Sequence, residues 1–295
     1  MITRTAMLIA TFLLAMPFVP VHGTPTAHVS IVTGSADIGG SLSASVMVSG
    51  ASDLVGYDIK VVVNPNVLTA TGASLGGTLL DPATNNVLIA RQDVFPSVGI
   101  VRYALVLLGG GSVSPSGSAS LLNMNFMVND PASTPDATAD QYPSAISLTS
   151  GLVGLSGGSI VTVPTDDTGA SYMPPADSGL RSVGCRAANG GFNTLAKGLD
   201  DPIFCRDTNT GGQSITVASA FSWRSLGGVT GSTMSAPQTL AAGQNGEQDA
   251  VLTVPNANDI FIVTGTPTRL ITFNDGSVLA IPGPSDTFKV VVNVG

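Results

Sequence analysis

The segment VGYDIKVVVNPNVL (Val55–Leu68) alternates apolar and polar side chains and then breaks at a proline. Alternate side chains of an extended chain share one face, which places the apolar set opposite Asp58 and Lys60. The apolar set is Tyr57, Ile59, Val61 and Val63. Pro65 lacks a backbone N–H and biases Asn64 away from the helical region, so strand pairing should stop there. The pattern predicts a half-buried strand that ends in an Asn-Pro-Asn turn.

The neighbouring segments add further strands of the same kind. Ser41–Val48 alternates in the same way, and the small-residue turn Ser49–Leu54 joins it to the strand that contains Tyr57. A flexible Gly- and Ser-rich loop, Gly109–Ser118, leads to LLNMNFMV (Leu121–Val128). Short alternating segments joined by Gly- and Pro-containing turns are typical of all-β proteins. We therefore predict an all-β chain of two antiparallel β-sandwich domains.

In this order, the segments of the first half resemble the cohesin-type β-sandwich. In that family a Gly-Tyr-Asp strand runs into an Asp/Asn-Pro-x-Val-Leu turn, and a late strand carries an apolar-x-Phe-x-Val core. The corresponding segments here are Val55–Leu68 and Leu121–Val128. The resemblance covers residues 27–165 and implies a cohesin-like jelly-roll sandwich that recognises a partner. It implies a dockerin-type protein partner, and this chain carries no paired calcium loops of the dockerin kind.

The first functional hypothesis is a secreted, non-catalytic binding module that uses one face of this sandwich. Outward positions on the central strands are the predicted polar anchors, and they are Asp58, Lys60, Arg91 and Arg102. Val62 and Ala104 are their predicted apolar neighbours. The ligand would be a dockerin-like protein module or a polysaccharide, the latter in polysaccharide breakdown. Ordinary solvent-exposed positions are the alternative interpretation for each anchor.

The amino-terminal residues 1–23 predict a secretory signal peptide. Arg4 precedes an apolar run from Ala6 to Val19, which is too short to cross a bilayer, and a small residue, Gly23, ends the segment. A buried first helix is the alternative. We expect a secreted, extracellular protein, with the cell surface as a second location, and we see no membrane anchor in the sequence.

The composition argues against a nucleic-acid partner and favours a weakly charged surface. The chain of 295 residues has a formal net charge of -8 and only 10% charged residues. Binding to nucleic acid requires a basic surface that neutralises phosphates, and this chain lacks one. Neutral polar and apolar surface suits the second hypothesis, a self-associating structural subunit of an extracellular surface layer or fibre.

A linker composition marks the predicted domain boundary. DDTGASYMPPADSG (Asp166–Gly179) is small and polar around two prolines and shows no period. An ordered connection is the alternative, and Tyr172 and Met173 favour it. The predicted division is a cohesin-like sandwich over 27–165, a linker over 166–184 and an immunoglobulin-like sandwich over 185–295. In the second domain, Asn274-Asp275-Gly276 predicts a tight hairpin turn.

Cys185 and Cys205 are the only cysteines, and in an exported chain they predict a disulfide. In the chain-entropy model, closing a loop of about 21 residues contributes about 3 kcal/mol. Zinc is the alternative, but no histidine lies near either cysteine. Asp207–Gly212 superficially resembles a calcium loop, yet it lacks the acidic fifth and twelfth positions, so we interpret it as a turn. We expect no metal and no cofactor.

The sequence offers no clear catalytic arrangement, and we do not expect an enzyme. His28, the only histidine after the leader, lies close to the mature amino terminus. Most aspartates lie at predicted turns, where turn formation explains them without catalysis. Trp223 shares a period of two with Ile215, Val217 and Phe221, which favours a core position over a sugar-stacking platform. A hydrolase is the third and least favoured hypothesis.

Overall fold

The computed structural model describes residues 27–162, 169–175, 179–187, 194–196, 198, 200–211, 214–254 and 256–293. The predicted signal peptide, residues 1–23, lies outside the described residues. The chain divides into two compact units, Met1–Met173 and Pro174–Gly295. No helical segment within the described ranges has the length and apolar character needed to cross a membrane.

The described residues of the first unit form ten strands in two sheets. The strands are β1 (His28–Thr33), β2 (Ser41–Ser49), β3 (Leu54–Val63), β4 (Leu68–Ser74), β5 (Val87–Phe95), β6 (Ile100–Leu107), β7 (Ser118–Val128), β8 (Ser144–Leu155), β9 (Ile160–Thr162) and β10 (Ala170–Tyr172). One sheet has the order β1-β2-β7-β4, and the other has the order β10-β8-β3-β6-β5 with β9 paired to β8. Three 3₁₀ turns complete the described elements of this unit: Pro96–Val98, Ala139–Gln141 and Ser156–Gly158.

The central strand of the larger sheet, β3, alternates apolar and polar side chains, which matches a sheet with one side against the core and the other toward solvent. The four side chains predicted to point inward from β3 are all buried, as predicted. The Tyr57 hydroxyl donates to the Leu121 carbonyl oxygen at 2.5 Å, which links β3 to β7 of the facing sheet. After β3, the amides of Val67 and Leu68 donate to the Asn64 carbonyl oxygen at 3.1 and 2.9 Å. The predicted Asn-Pro-Asn turn is therefore confirmed.

In the second unit, the part of the chain that the structure describes also forms ten strands in two sheets. They are β11 (Leu180–Ala187), β12 (Thr194–Ala196), β13 (Asp201–Asn209), β14 (Ile215–Ser225), β15 (Thr230–Met234), β16 (Gln238–Leu240), β17 (Asn245–Leu252), β18 (Asp259–Thr272), β19 (Val278–Pro282) and β20 (Asp286–Asn293). A three-stranded sheet has the order β11-β13-β17. A seven-stranded sheet has the order β12-β20-β18-β14-β15, with β16 on β14 and β19 on β18.

Both sheets of the second unit contribute to one core. Ile203 of the small sheet and Phe221 and Phe261 of the large sheet belong to the same buried cluster. Trp223, predicted as a core residue, is half-buried and packs against this cluster. The turn predicted at Asn274-Asp275-Gly276 joins β18 to β19, and the Phe273 amide donates to the Ser277 carbonyl oxygen at 2.9 Å. The all-β sandwich prediction is confirmed for the chain.

The predicted disulfide is present in this core. Cys185 of β11 and Cys205 of β13 are direct cross-strand partners, with 4.0 Å between their Cα atoms, and they form a disulfide. Both residues are buried. The bridge therefore joins an edge strand to the centre of the three-stranded sheet.

Strands occupy parts of the segment 166–184 that the sequence predicts as a linker. β10 pairs with β8, and the Tyr172 hydroxyl donates to the Ala36 carbonyl oxygen at 3.1 Å within the first unit. β11 begins at Leu180 and pairs with β13. Small polar residues predict a loop when read locally, but pairing with distant strands provides hydrogen bonds that the local pattern does not reveal. The division between Met173 and Pro174 falls inside the predicted segment.

The sequence predicts a turn at Asp207, but the structure places this residue in a strand. It lies within β13, opposite Ser182 of β11 and Gly246 of β17, and it is fully buried. The residues that follow it, Thr208–Gly211, have the composition of a turn, so local propensity favours a turn. Pairing on both sides of β13 overrides that propensity.

Candidate binding face of the first unit

Strands β8, β3, β6 and β5 turn one side of the larger sheet away from the core of the first unit. We call this side the outer face. It is defined by Ser147, Ser150, Leu152, Asp58, Lys60, Val62, Ile100, Arg102, Ala104, Val106, Arg91 and Asp93. The alternate residues of β3 and β6 are buried, whereas these positions are half-buried or exposed. All four predicted anchor residues lie on this face.

An ion pair joins two of the predicted anchors at the centre of the outer face. Arg102 donates from Nε to Asp58 Oδ1 at 3.0 Å and from Nη2 to Asp58 Oδ2 at 2.6 Å. The hydrogen bond to Asp58 raises the pKa of the Arg102 guanidinium above its usual value. Because the contact is bidentate, it fixes the orientation of the planar guanidinium group. The side chains remain 33% and 26% exposed, so a partner can reach them.

Arg91 reaches the same face because β5 contains a bulge. The β5–β6 register shifts between Ile89 and Arg91, so Arg91 lies opposite Ala104 rather than opposite an inward-facing residue. Arg91 Nε lies 3.0 Å from Asp93 Oδ2. Asp93 is not among the predicted anchors, although its position two residues after Arg91 indicates that both side chains share a face of a regular strand.

Four of the charged residues form a row of alternating sign across three strands, in the order Arg91, Asp93, Arg102 and Asp58. Asp93 lies directly opposite Arg102, which pairs with Asp58 on the far side. Lys60 is also directly opposite Arg102, but it makes no ion pair with the residues that the structure describes. Three basic side chains and two acidic ones thus share this region. Among the described residues, the arrangement therefore presents two ion pairs and one cation, Lys60, that has no carboxylate partner.

Apolar side chains border the charged row on both sides. Phe95, at the end of β5, is 50% exposed, and Leu152 of β8 is 38% exposed. Val62 and Ala104, the predicted apolar neighbours, are half-buried between the charges. Protein–protein interfaces combine apolar contact area with hydrogen-bonding polar groups, and arginine and aromatic side chains are enriched in them. Across the residues that the structure describes, no group of three or more His, Cys, Asp or Glu side chains is placed to hold a metal ion.

Among the comparisons with known proteins, only the one with solved structures finds matches to this chain. No protein-family model matches it, and no curated protein does. The sixth cohesin of scaffoldin B from Acetivibrio cellulolyticus, solved with a dockerin, is 19% identical and matches with a TM-score of 0.39. That match covers 50% of this chain and 99% of the cohesin.

Two further matches have similar extents. A cohesin from a type I cohesin–dockerin complex of Clostridium thermocellum is 12% identical and matches with a TM-score of 0.39. That match covers 51% of this chain and 99% of the cohesin chain. A cohesin module from a family 33 glycoside hydrolase of Clostridium perfringens is 13% identical and matches with a TM-score of 0.35. That match covers 51% of this chain and 100% of the module. All three of these structures are cohesin domains.

Proposed function

We propose that this chain is a non-catalytic binding module whose first unit binds a dockerin-type protein on the outer face. The observation that carries the proposal is the bidentate pair between Arg102 and Asp58, at the centre of a row of alternating charges with exposed apolar borders. The dockerin-type partner follows from the cohesin-like motifs of the sequence. Export remains a prediction, and it is tested by whether the mature protein begins after Gly23.

The energetics of the ion pair change when a partner covers it. While exposed to water, such a pair contributes at most about 1 kcal/mol to folding. A docked partner removes that water, so the loss of one charge would leave the other buried and unpaired, at a cost of about 2–5 kcal/mol. Removing one charge of the pair should therefore affect binding far more than folding.

Replacing Arg102 with alanine should weaken partner binding by about thirtyfold or more, which corresponds to about 2 kcal/mol. The partner would first be captured from the native extracellular fraction on the immobilised full chain, together with a panel of purified dockerin modules. Its affinity would then be measured by calorimetry. Arg224→Ala, an exposed arginine of the second unit, is the matched control and should leave affinity unchanged.

Two outcomes would count against this proposal. Equal affinity of the Arg102→Ala variant and the unchanged chain would exclude the outer face as the binding surface. Retention of polysaccharides with no protein partner would favour the polysaccharide hypothesis instead. Thermal stability of the first unit should stay nearly constant in the variant, which separates a binding defect from a folding defect.

A further inference from the structure

Asp207 places a carboxyl group inside the core of the second unit. Strand β13 turns Ile203, Cys205, Asp207 and Asn209 toward the facing sheet, and all four are buried. Asp207 itself is 0% exposed. An acidic residue in such a position is unusual, because transfer of a carboxylate from water to a protein interior is strongly unfavourable without compensating partners.

The Asp207 carboxyl lacks those partners. Neither of its oxygens has a hydrogen-bond partner in the part of the chain that the structure describes. Asn209, the next inward residue, is different: its amide nitrogen donates to the Leu240 carbonyl oxygen at 2.9 Å, and its Oδ1 accepts from the Gly211 amide at 2.9 Å. The polar environment therefore satisfies the neutral amide and not the acid.

The neighbours of Asp207 are polar but neutral, and several of them bond to one another. Gln248 Nε2 donates to Gln238 Oε1 at 3.2 Å, and the Ser219 hydroxyl lies 3.5 Å from Gln248 Oε1. Gly246, directly opposite Asp207, has the Gln248 amide nitrogen 3.1 Å from the place a Cβ would occupy. These groups lie on the strands that flank and face Asp207, and none of them carries a charge.

The charged groups on the surrounding strands do not pair with Asp207 in the described residues. Arg269 of β18 is a buried cation of the facing sheet, and neither Asp207 oxygen accepts a hydrogen bond from it. Asp286 of β20 accepts the Cys185 amide at 2.8 Å, so it adds a charge of the same sign. Arg206 and Glu247 pair with each other on the opposite side of the three-stranded sheet.

We propose that Asp207 is a pH-responsive switch in the second unit. The neutral acid permits the three-stranded sheet to pack on the seven-stranded sheet, and ionisation of the acid loosens that packing. Burial raises the pKa of the Asp207 carboxyl to about 6. The nearby Ser182 hydroxyl offsets a part of this rise, although it lies outside hydrogen-bond geometry.

The sign of the effect follows from the two protonation states. An aspartate in an unfolded chain has a pKa of about 3.9, so below about pH 4 the carboxyl is neutral in both states and carries no penalty. Between about pH 4 and pH 6 the unfolded chain loses this proton first, which favours unfolding. A difference of about two units between the folded and unfolded pKa values corresponds to about a hundredfold change in the folding equilibrium of the unit. The whole of this stability is lost above about pH 6.

The test compares the denaturation of full-length Asp207→Asn with that of the unchanged chain at about pH 4 and about pH 7.5. Trp223 is the only tryptophan and lies in β14, so its fluorescence reports on the second unit. Between these two pH values, the folding equilibrium constant of the second unit should fall about a hundredfold more in the unchanged chain than in the variant. Asp249→Asn, at an exposed position of β17, is the matched control, and its folding equilibrium should fall with pH as much as that of the unchanged chain.

The same dependence on pH in the Asp207→Asn variant and in the unchanged chain would overturn the proposal. If the variant does not fold, hydrogen exchange of the unchanged chain provides a second test. Protection of β13 and β17, corrected for the intrinsic exchange rate, should fall between about pH 4 and pH 7.5 relative to protection of β3. A constant ratio would equally overturn it.

Discussion

Replacing Gly265 with alanine should destabilise the second unit by about 3 kcal/mol. A Cβ at this position would lie 2.5 Å from the Cys205 sulfur and 2.6 Å from the Cys185 sulfur. Gly265 lies on β18, so it provides the space in which the disulfide of one sheet packs against the backbone of the other. Neither sulfur can rotate away while the bridge is intact, so the sheets would have to separate.

A double-mutant cycle isolates the contact between Gly265 and the sulfurs. Gly265→Ala should cost much less in a Cys185→Ala/Cys205→Ala background, because that background removes the two sulfurs and leaves only the Cβ of residue 185, which lies 3.1 Å from the new methyl group. Urea denaturation followed by Trp223 fluorescence gives the free energy of unfolding for each of the four proteins. Equal costs in the two backgrounds would show that the methyl group clashes with something other than the bridge.

The strands and the core of this protein could be predicted largely from local alternation. In β3 the inward set followed directly from a period of two, and the Asn-Pro-Asn turn followed from the chemistry of Pro65. These features depend on neighbouring residues only. The disulfide could be predicted because the chain contains only two cysteines.

The features that could not be predicted depend on residues distant in sequence. The bulge that brings Arg91 to the outer face is a property of the pairing between β5 and β6. The burial of Asp207 requires β11 and β17 on its two sides. The role of Gly265 depends on sulfur atoms of the facing sheet. In each case the local sequence permits the observed structure without specifying it.

Replacing both cysteines with alanine should lower the free energy of unfolding of the second unit by about 3 kcal/mol. The bridge ties β11, an edge strand, to β13, and it closes a chain segment with a sequence separation of 20. Without it the unfolded chain gains conformational freedom, and the buried sulfurs leave unfilled space in the core. The first unit contains no cysteine in its described residues, so its transition should not move.

Calorimetry of the full chain, with Trp223 fluorescence to identify the transition of the second unit, measures this effect. The expected result is that one transition moves down and the other stays in place. One common transition that shifts as a whole would argue against two independently folding units. Mass analysis of protein recovered from outside the cell should show the bridge between Cys185 and Cys205 and no free thiol. Two free thiols there would mean that the bridge is absent from the exported protein, and the variant should then lack the loss that comes from chain entropy and retain only the cost of the unfilled space.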